Sequence, residues 1–169
     1  MSDLSAIQLF GVLAPLFAAL VAFILLQTVG EWNKRRKLRE RSRKDLISEL
    51  EQNKQYQDTS KFIALEDEGY KRFRQRGFLH ELPADWQKEL RELYAFVHEK
   101  NALLVYYRDV GLAAISTTAK ERHTNEPLQR SKTEENLLVI LGIIDTTQKQ
   151  IVERTDKILP KLKSLLNDP

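Results

Sequence analysis

The chain opens on a stretch in which apolar positions are nearly continuous. Ile7–Val29 reads IQLFGVLAPLFAALVAFILLQTV, and no Asp, Glu, Lys or Arg stands between Asp3 and Glu31. At about 1.5 Å per residue, a helix of this length covers a bilayer hydrocarbon core of roughly 30 Å. The pattern therefore predicts a transmembrane helix, with Trp32 at the interfacial position behind it. Within the span, Gly11, Ala14, Ala18 and Ala22 fall three and four apart and share a face. Small residues so placed let helix backbones approach closely in lipid. Pro15 lacks the N–H donor of a helix interior and predicts a kink.

After residue 30 the apolar positions take up helical spacing, and no strand-like alternation is found. Leu38, Leu46, Ile47 and Leu50 give a thin stripe on a polar helix ending near Tyr56. Asp58-Thr59-Ser60 offers N-cap chemistry for a second helix carrying Phe62, Leu65, Glu66, Gly69, Tyr70 and Phe73. Gly77 breaks it, and Pro83 suits the first turn of a third helix from about Ala84 to about Thr118. In that helix Leu90, Val97, Leu104 and Gly111 recur every seven residues, widened by Trp86, Leu93 and Tyr94. Thr117–Glu135 is polar and long for a loop, with room for another turn of helix. Ser131-Lys132-Thr133-Glu134 matches a capping box and places the start of a fourth helix there. Leu137, Ile144, Ile151, Ile158 and Leu165 then form a heptad seam, flanked by Leu141 and Leu162 and interrupted by Gln148 and Thr155. Pro160 is expected to kink or end this helix. Two segments are apolar on every side, Ala102–Tyr107 (ALLVYY) and Leu137–Ile144 (LLVILGII). A helix apolar all round must be covered all round, by a deep core or by a subunit interface; Leu104 and Tyr107 join the seam on this basis.

The expected class is all-α: a single N-terminal transmembrane helix continuing into a cytoplasmic antiparallel bundle of about four helices. The expected divisions are residues 1–33 as anchor, 34–57 as a basic juxtamembrane helix and 58–169 as the bundle.

Charge sharpens this picture. Across 169 residues there are 27 Lys+Arg and 24 Asp+Glu, a net charge of +3. Lys34, Arg35, Arg36, Lys37, Arg39, Arg41, Arg43 and Lys44, broken only by Glu40, carry +7, while residues 1–33 and 45–169 each carry -2. A basic block directly after an apolar span predicts an outside N-terminus and a cytoplasmic C-terminal side. It also attracts anionic lipid, at about 1 kcal/mol per Lys or Arg near the surface. With 0 Cys there is no disulfide framework, thiolate nucleophile or thiolate metal site. Six Gly and 5 Pro leave little room for phosphate loops or a turn-rich sandwich.

Candidate chemistry is sparse. His80, His98 and His123 are the histidines, and none has HxxxH, HExxH or ExxH spacing. No metal or cofactor is expected, and no Walker loop or GxGxxG motif occurs. Two arginines do precede histidines at close range, in Arg74-x5-His80 and Arg91-x6-His98. On an all-helical chain this pairing resembles the Arg–His motif of HEPN-type ribonucleases, and the resemblance implies those four residues as catalytic candidates. Gly69–Phe78 (GYKRFRQRGF) interleaves four bases with three aromatics. The combination suits single-stranded nucleic acid or a membrane headgroup layer, but a helix end with Tyr70 and Phe73 in the core and its bases in solvent accounts for it better. Of these ligands the membrane surface is favoured over nucleic acid. Arg108-Asp109 is a charged pair inside an apolar stretch.

The function expected is non-enzymatic: a membrane-tethered scaffold or interaction module, partnered by a second copy or another helical membrane protein. A membrane effector or pore gated by the bundle is the alternative. Its small-residue stripe would assemble a ring, but the span has no charged residue to line a wide channel. A membrane-tethered HEPN-like ribonuclease ranks third.

Overall fold

The computed structural model describes the backbone of residues 3–59, 61–121 and 128–167, and side chains within residues 15–56, 61–113, 132 and 135–166. All secondary structure among them is helical: α1 (Asp3–Thr59), α2 (Glu68–Gln75), a 3-10 turn (Phe78–Glu81), α3 (Ala84–Glu121) and α4 (Leu128–Asn167). Internal contacts divide the chain into two units, residues 1–41 and 42–169.

In the first unit, α1 passes through Pro15 without ending. From Pro15 onward its N-terminal part is long and apolar enough to cross a membrane by length and composition. Leu16, Phe17, Leu20, Phe23, Ile24, Leu25 and Leu26 are all exposed, so no protein surface covers them.

The second unit forms around the last part of α1. Leu46, Ile47 and Leu50 are buried on one stripe, against Leu90, Leu93, Tyr94 and Val97 of α3 and Ile151, Ile158 and Leu162 of α4. Ion pairs set the directions. Arg154 meets Glu92 at 2.5 Å and Lys161 meets Glu89 at 3.1 Å, so α4 runs antiparallel to α3. Lys54–Asp156 and Lys163–Glu51, both at 2.6 Å, make it antiparallel to α1 as well. Tyr70 and Phe73 of α2, with Phe78, Leu79 and Leu82 after it, complete the core.

Several local expectations are corrected. Phe62, Leu65 and Glu66 are not helical; they lie in a connector that opens with a turn at Lys61–Phe62, and α2 begins only at Glu68. The connector is held in place by long-range bonds. Asn53 of α1 donates to the Glu66 carbonyl at 2.7 Å and accepts from its N–H at 2.8 Å. Asn101 of α3 does the same for Leu65, at 2.9 Å in each direction. Two carboxamides thus replace the helical bonds that the local sequence would favour. The Asp58–Ser60 cap lies outside the described residues apart from the backbone of Asp58 and Thr59, which belongs to α1.

The capping box does not open α4, because that helix already starts at Leu128. Pro127 directly precedes it, a residue suited to a helix start. Part of the polar stretch Thr117–Glu135 is indeed helical, since α3 continues to Glu121 and α4 begins at Leu128. Nor does Pro160 end α4. Its ring is exposed, and the next turn buries Leu162 and packs Leu165 and Leu166 on the core. That packing outweighs one missing backbone bond at a solvated position.

Gly77 breaks the chain as expected. At φ 78 it adopts the left-handed conformation, its N–H bonds to the Arg74 carbonyl at 3.0 Å, and its own carbonyl starts the 3-10 turn. Pro83 stands one residue before α3 and its carbonyl receives the Gln87 N–H at 3.0 Å.

Candidate functional site

The expected membrane-associating residues divide between the units. Trp32, Lys34, Arg35, Arg36, Lys37 and Arg41 are exposed, and Arg39 is half-buried. Arg36 lies over the Trp32 ring at 5.8 Å, and Lys34 bonds Glu31 at 3.0 Å. Within the second unit, Lys44 is exposed and Arg43 half-buried beside Ser42, whose hydroxyl accepts from Arg76 at 2.7 Å. Of the small-residue stripe, Ala18 and Ala22 are exposed. The side chains of Gly11 and Ala14 lie outside the described residues.

Around Glu49 the second unit holds a buried polar centre. Its carboxylate accepts the N–H groups of Gly69 and, at 3.1 Å, of Tyr70, and the Tyr94 hydroxyl at 2.5 Å. A side chain of α1 therefore caps α2, placing negative charge at a helix start. The approach is tight: a Cβ on residue 69 would lie 3.0 Å from Glu49 Oε2 and 3.3 Å from the Asp45 carbonyl. The Tyr70 and Tyr94 rings stack at 4.0 Å. Burial, aided by the adjacent Glu49 charge, pushes the Tyr94 hydroxyl well above the usual phenol range. Burial raises Tyr70 as well, and Arg74 and Arg91 oppose that rise. The centre has no substrate-accessible nucleophile and serves structure.

Lys100 is a second buried polar group. It is fully enclosed, its Nζ has no hydrogen-bond partner, and burial lowers its affinity for a proton. The sequence carried a signal for these groups. Glu49, Asn53 and Lys100 are polar residues at stripe positions, three after Leu46, Leu50 and Val97.

The residues of the Arg–His pairs have other neighbours or face solvent. His98 Nδ1 lies 3.2 Å from Asp67, which also pairs with Lys71 at 3.0 Å. Arg91 bonds Gln87 at 3.2 Å. Arg91 and His98 stand seven positions apart on one helix, a rise of about 10 Å. Arg74 and His80 are both exposed, one on α2 and the other in the 3-10 turn. His123 lies outside the described residues. Among the described residues no cluster of three or more His, Asp or Glu could hold a metal ion. The aromatic–basic segment also separates: Tyr70, Phe73 and Phe78 are buried, so no ring is offered to a base, while Lys71, Arg72, Arg74 and Arg76 face solvent.

The seam residues Ile144, Ile151 and Ile158 are buried within the chain, Leu165 packs on the same core, and Leu137, Leu104 and Tyr107 are half-buried. What remains open is the outer side of both all-round apolar segments. On α3, Val105, Tyr106 and Leu112 are exposed; on α4, so are Leu138, Val139 and Ile143. Phe62 of the connector meets the Tyr107 ring at 5.6 Å, and Lys61 pairs with Asp145 at 3.1 Å. Comparison with known proteins finds no matching family, no matching curated protein and no matching solved structure.

Proposed function

We propose that the chain is a single-pass, membrane-anchored helical scaffold, with its N-terminus outside and a cytoplasmic antiparallel helical bundle that self-associates. The observation that carries this reading is the apolar part of α1. Its described side chains from Pro15 to Val29 are all exposed, and eight bases against one acid follow within residues 34–44. Removing such a surface from water is worth about 25 cal/mol per Å² of apolar area. Seven long apolar side chains on one helix exceed the exposed patch of an ordinary soluble protein. Lipid is the cover that a continuous, uncharged, all-round apolar helix fits. The bases behind it favour a cytoplasmic C-terminal side and hold that part of the chain at anionic headgroups.

Catalysis has no comparable support: His98 pairs with Asp67 and Arg91 with Gln87, and the aromatic rings of Gly69–Phe78 are internal.

The test compares the full chain with a variant lacking residues 1–33. Membrane fractionation should find the first in the membrane and the second released. Molecular mass in mild detergent should exceed one chain for the full protein. A full chain found in the soluble fraction would overturn the anchor, and a strictly monomeric mass would overturn self-association. A cysteine introduced at Ser164, an exposed position in a chain with 0 Cys, should label only after cells are permeabilised. Labelling of intact cells would reverse the orientation.

A further inference from the structure

On the α3–α4 hairpin, the outer surface changes character at one level. Before that level the outward positions of α3 include Lys88, Arg91, Ala95, His98 and Glu99; beyond it they are Ala102, Val105, Tyr106, the charged neighbours Arg108 and Asp109, Leu112 and Ala113. On α4 the outward positions after the polar Glu135 and Asn136 are Leu138, Val139, Gly142, Ile143 and Thr146, and then Lys149, Gln150, Glu153, Asp156 and Lys157. The two helices are antiparallel, and Arg154 lies over the Phe96 ring at 5.3 Å. That register brings Ala102 of α3 level with about Gln148 of α4, within a turn of Thr146. Both helices therefore turn mainly apolar on the outside at nearly the same height. The inner positions there, Leu103, Leu104, Tyr107, Val110, Leu137, Leu141 and Ile144, are already used within the hairpin.

We infer that this band is the contact surface for a second copy of the chain, packed hairpin to hairpin. The inference rests on the self-association proposed above and assigns it a place. Two observations select an identical partner. The first is area. Val105, Tyr106, Leu112, Leu138, Val139 and Ile143 are 41–67% exposed. An aliphatic side chain of this size offers on the order of 100 Å² and a tyrosine roughly 150–250 Å², so the six together present roughly 400 Å² of apolar surface. That lies within the range of a monomer's largest patch. Two copies would bury about 800 Å² in total, the size of a weak contact, suited to chains already concentrated in a membrane.

The second observation is charge. Between Ala102 and Ala113 the only charged residues are Arg108 and Asp109, neighbours of opposite sign, both more than half exposed. Within one chain they meet at 3.3 Å, an exposed contact of small value. Across a two-fold axis each copy's Arg108 is offered the other's Asp109, and the pair becomes self-complementary. A basic or an acidic partner would satisfy one residue and repel the other.

The absence of cysteine makes the test direct. Single cysteines are placed in the full chain at Val105, Tyr106, Leu112, Leu138 and Val139, with Glu153→Cys on the charged outer side of α4 as reference. Membranes holding each variant, and pairs of variants together, are oxidised and run without reductant. Disulfide-linked dimers should form at band positions with at least fivefold the yield of the reference. Arg108→Asp or Asp109→Arg alone should cut that yield severalfold, and the exchanged pair Arg108→Asp with Asp109→Arg should restore it. Yields no higher than the reference, while the detergent mass still exceeds one chain, would overturn the band and leave self-association standing. A monomeric mass would overturn both. Cross-links from band positions only to a different protein, or no rescue by the exchanged pair, would overturn the identical partner.

Discussion

Replacing Lys100 by Met tests the reading of the core most sharply. The ammonium is fully enclosed and without a partner, on the α3 stripe that also carries Leu93, Val97 and Leu104. A buried polar group left unsatisfied costs about 1–3 kcal/mol, more when charged. Met keeps the length and most of the volume of the lysine stem, so little packing is lost. Lys100→Met should therefore stabilise the second unit by about 1–3 kcal/mol at neutral pH. For a domain of this size that raises Tm by roughly 3–10 °C.

The pH dependence carries its own sign. Burial lowers the Lys100 value in the folded chain below its usual 10.5. Between the lowered folded value and the unfolded one, the unfolded chain binds more protons, so wild-type stability gains with rising pH there. The penalty is full below the folded value and relieved above it. The advantage of Met should therefore be largest near neutrality and shrink towards pH 10. The assay is thermal unfolding of the full chain in detergent, followed by circular dichroism at both pH values. A Met variant less stable than wild type at neutral pH would refute the unpaired burial of the ammonium. An advantage that grows with pH would refute the titration.

Two further substitutions probe the packing. Gly69→Ala puts a methyl into contact with the Glu49 carboxylate and close to the Asp45 carbonyl, and should destabilise by about 1 kcal/mol in the same melt, net of the roughly 1 kcal/mol that Ala gains over Gly within a helix; a raised Tm would mean that α1 and α2 do not approach so closely. Ile151→Ala, at a residue 1% exposed, should cost about 2–5 kcal/mol, and Ile143→Ala, at 41% exposed, well under half of that in a monomeric detergent preparation. Equal losses would contradict the boundary between core and outer band.

Much of this architecture is legible along the chain. The stripes Leu46–Leu50, Leu90–Val97 and Ile144–Ile158 follow from helical spacing, because buried positions in a helix recur at three and four. Gly77 is legible because a helix end needs a left-handed residue there. The connector before α2 is not, since Asn53 and Asn101, distant in sequence, take over the backbone groups of Glu66 and Leu65. The start of α2 escapes for a related reason: its cap is Glu49, from another helix, and not a neighbouring Ser or Asp. Pro160 misleads because local propensity carries no information about Leu162 and the leucines behind it. Among the site residues, the Arg–His spacing is visible in sequence, but the engagement of His98 with Asp67 is a tertiary fact. The two all-round apolar segments do announce a surface needing cover. Which of their residues face outward depends on how α3 and α4 pair.

The central claim is that α1 anchors the helical domain in a bilayer, and alkaline carbonate extraction of membranes tests it most directly. The wild-type chain should stay in the carbonate-resistant pellet. A variant carrying Leu20→Lys and Ile24→Lys, a burden of roughly 5–7 kcal/mol at mid-bilayer, should move to the supernatant. Wild-type protein recovered in the supernatant to the same extent as that variant would contradict the account.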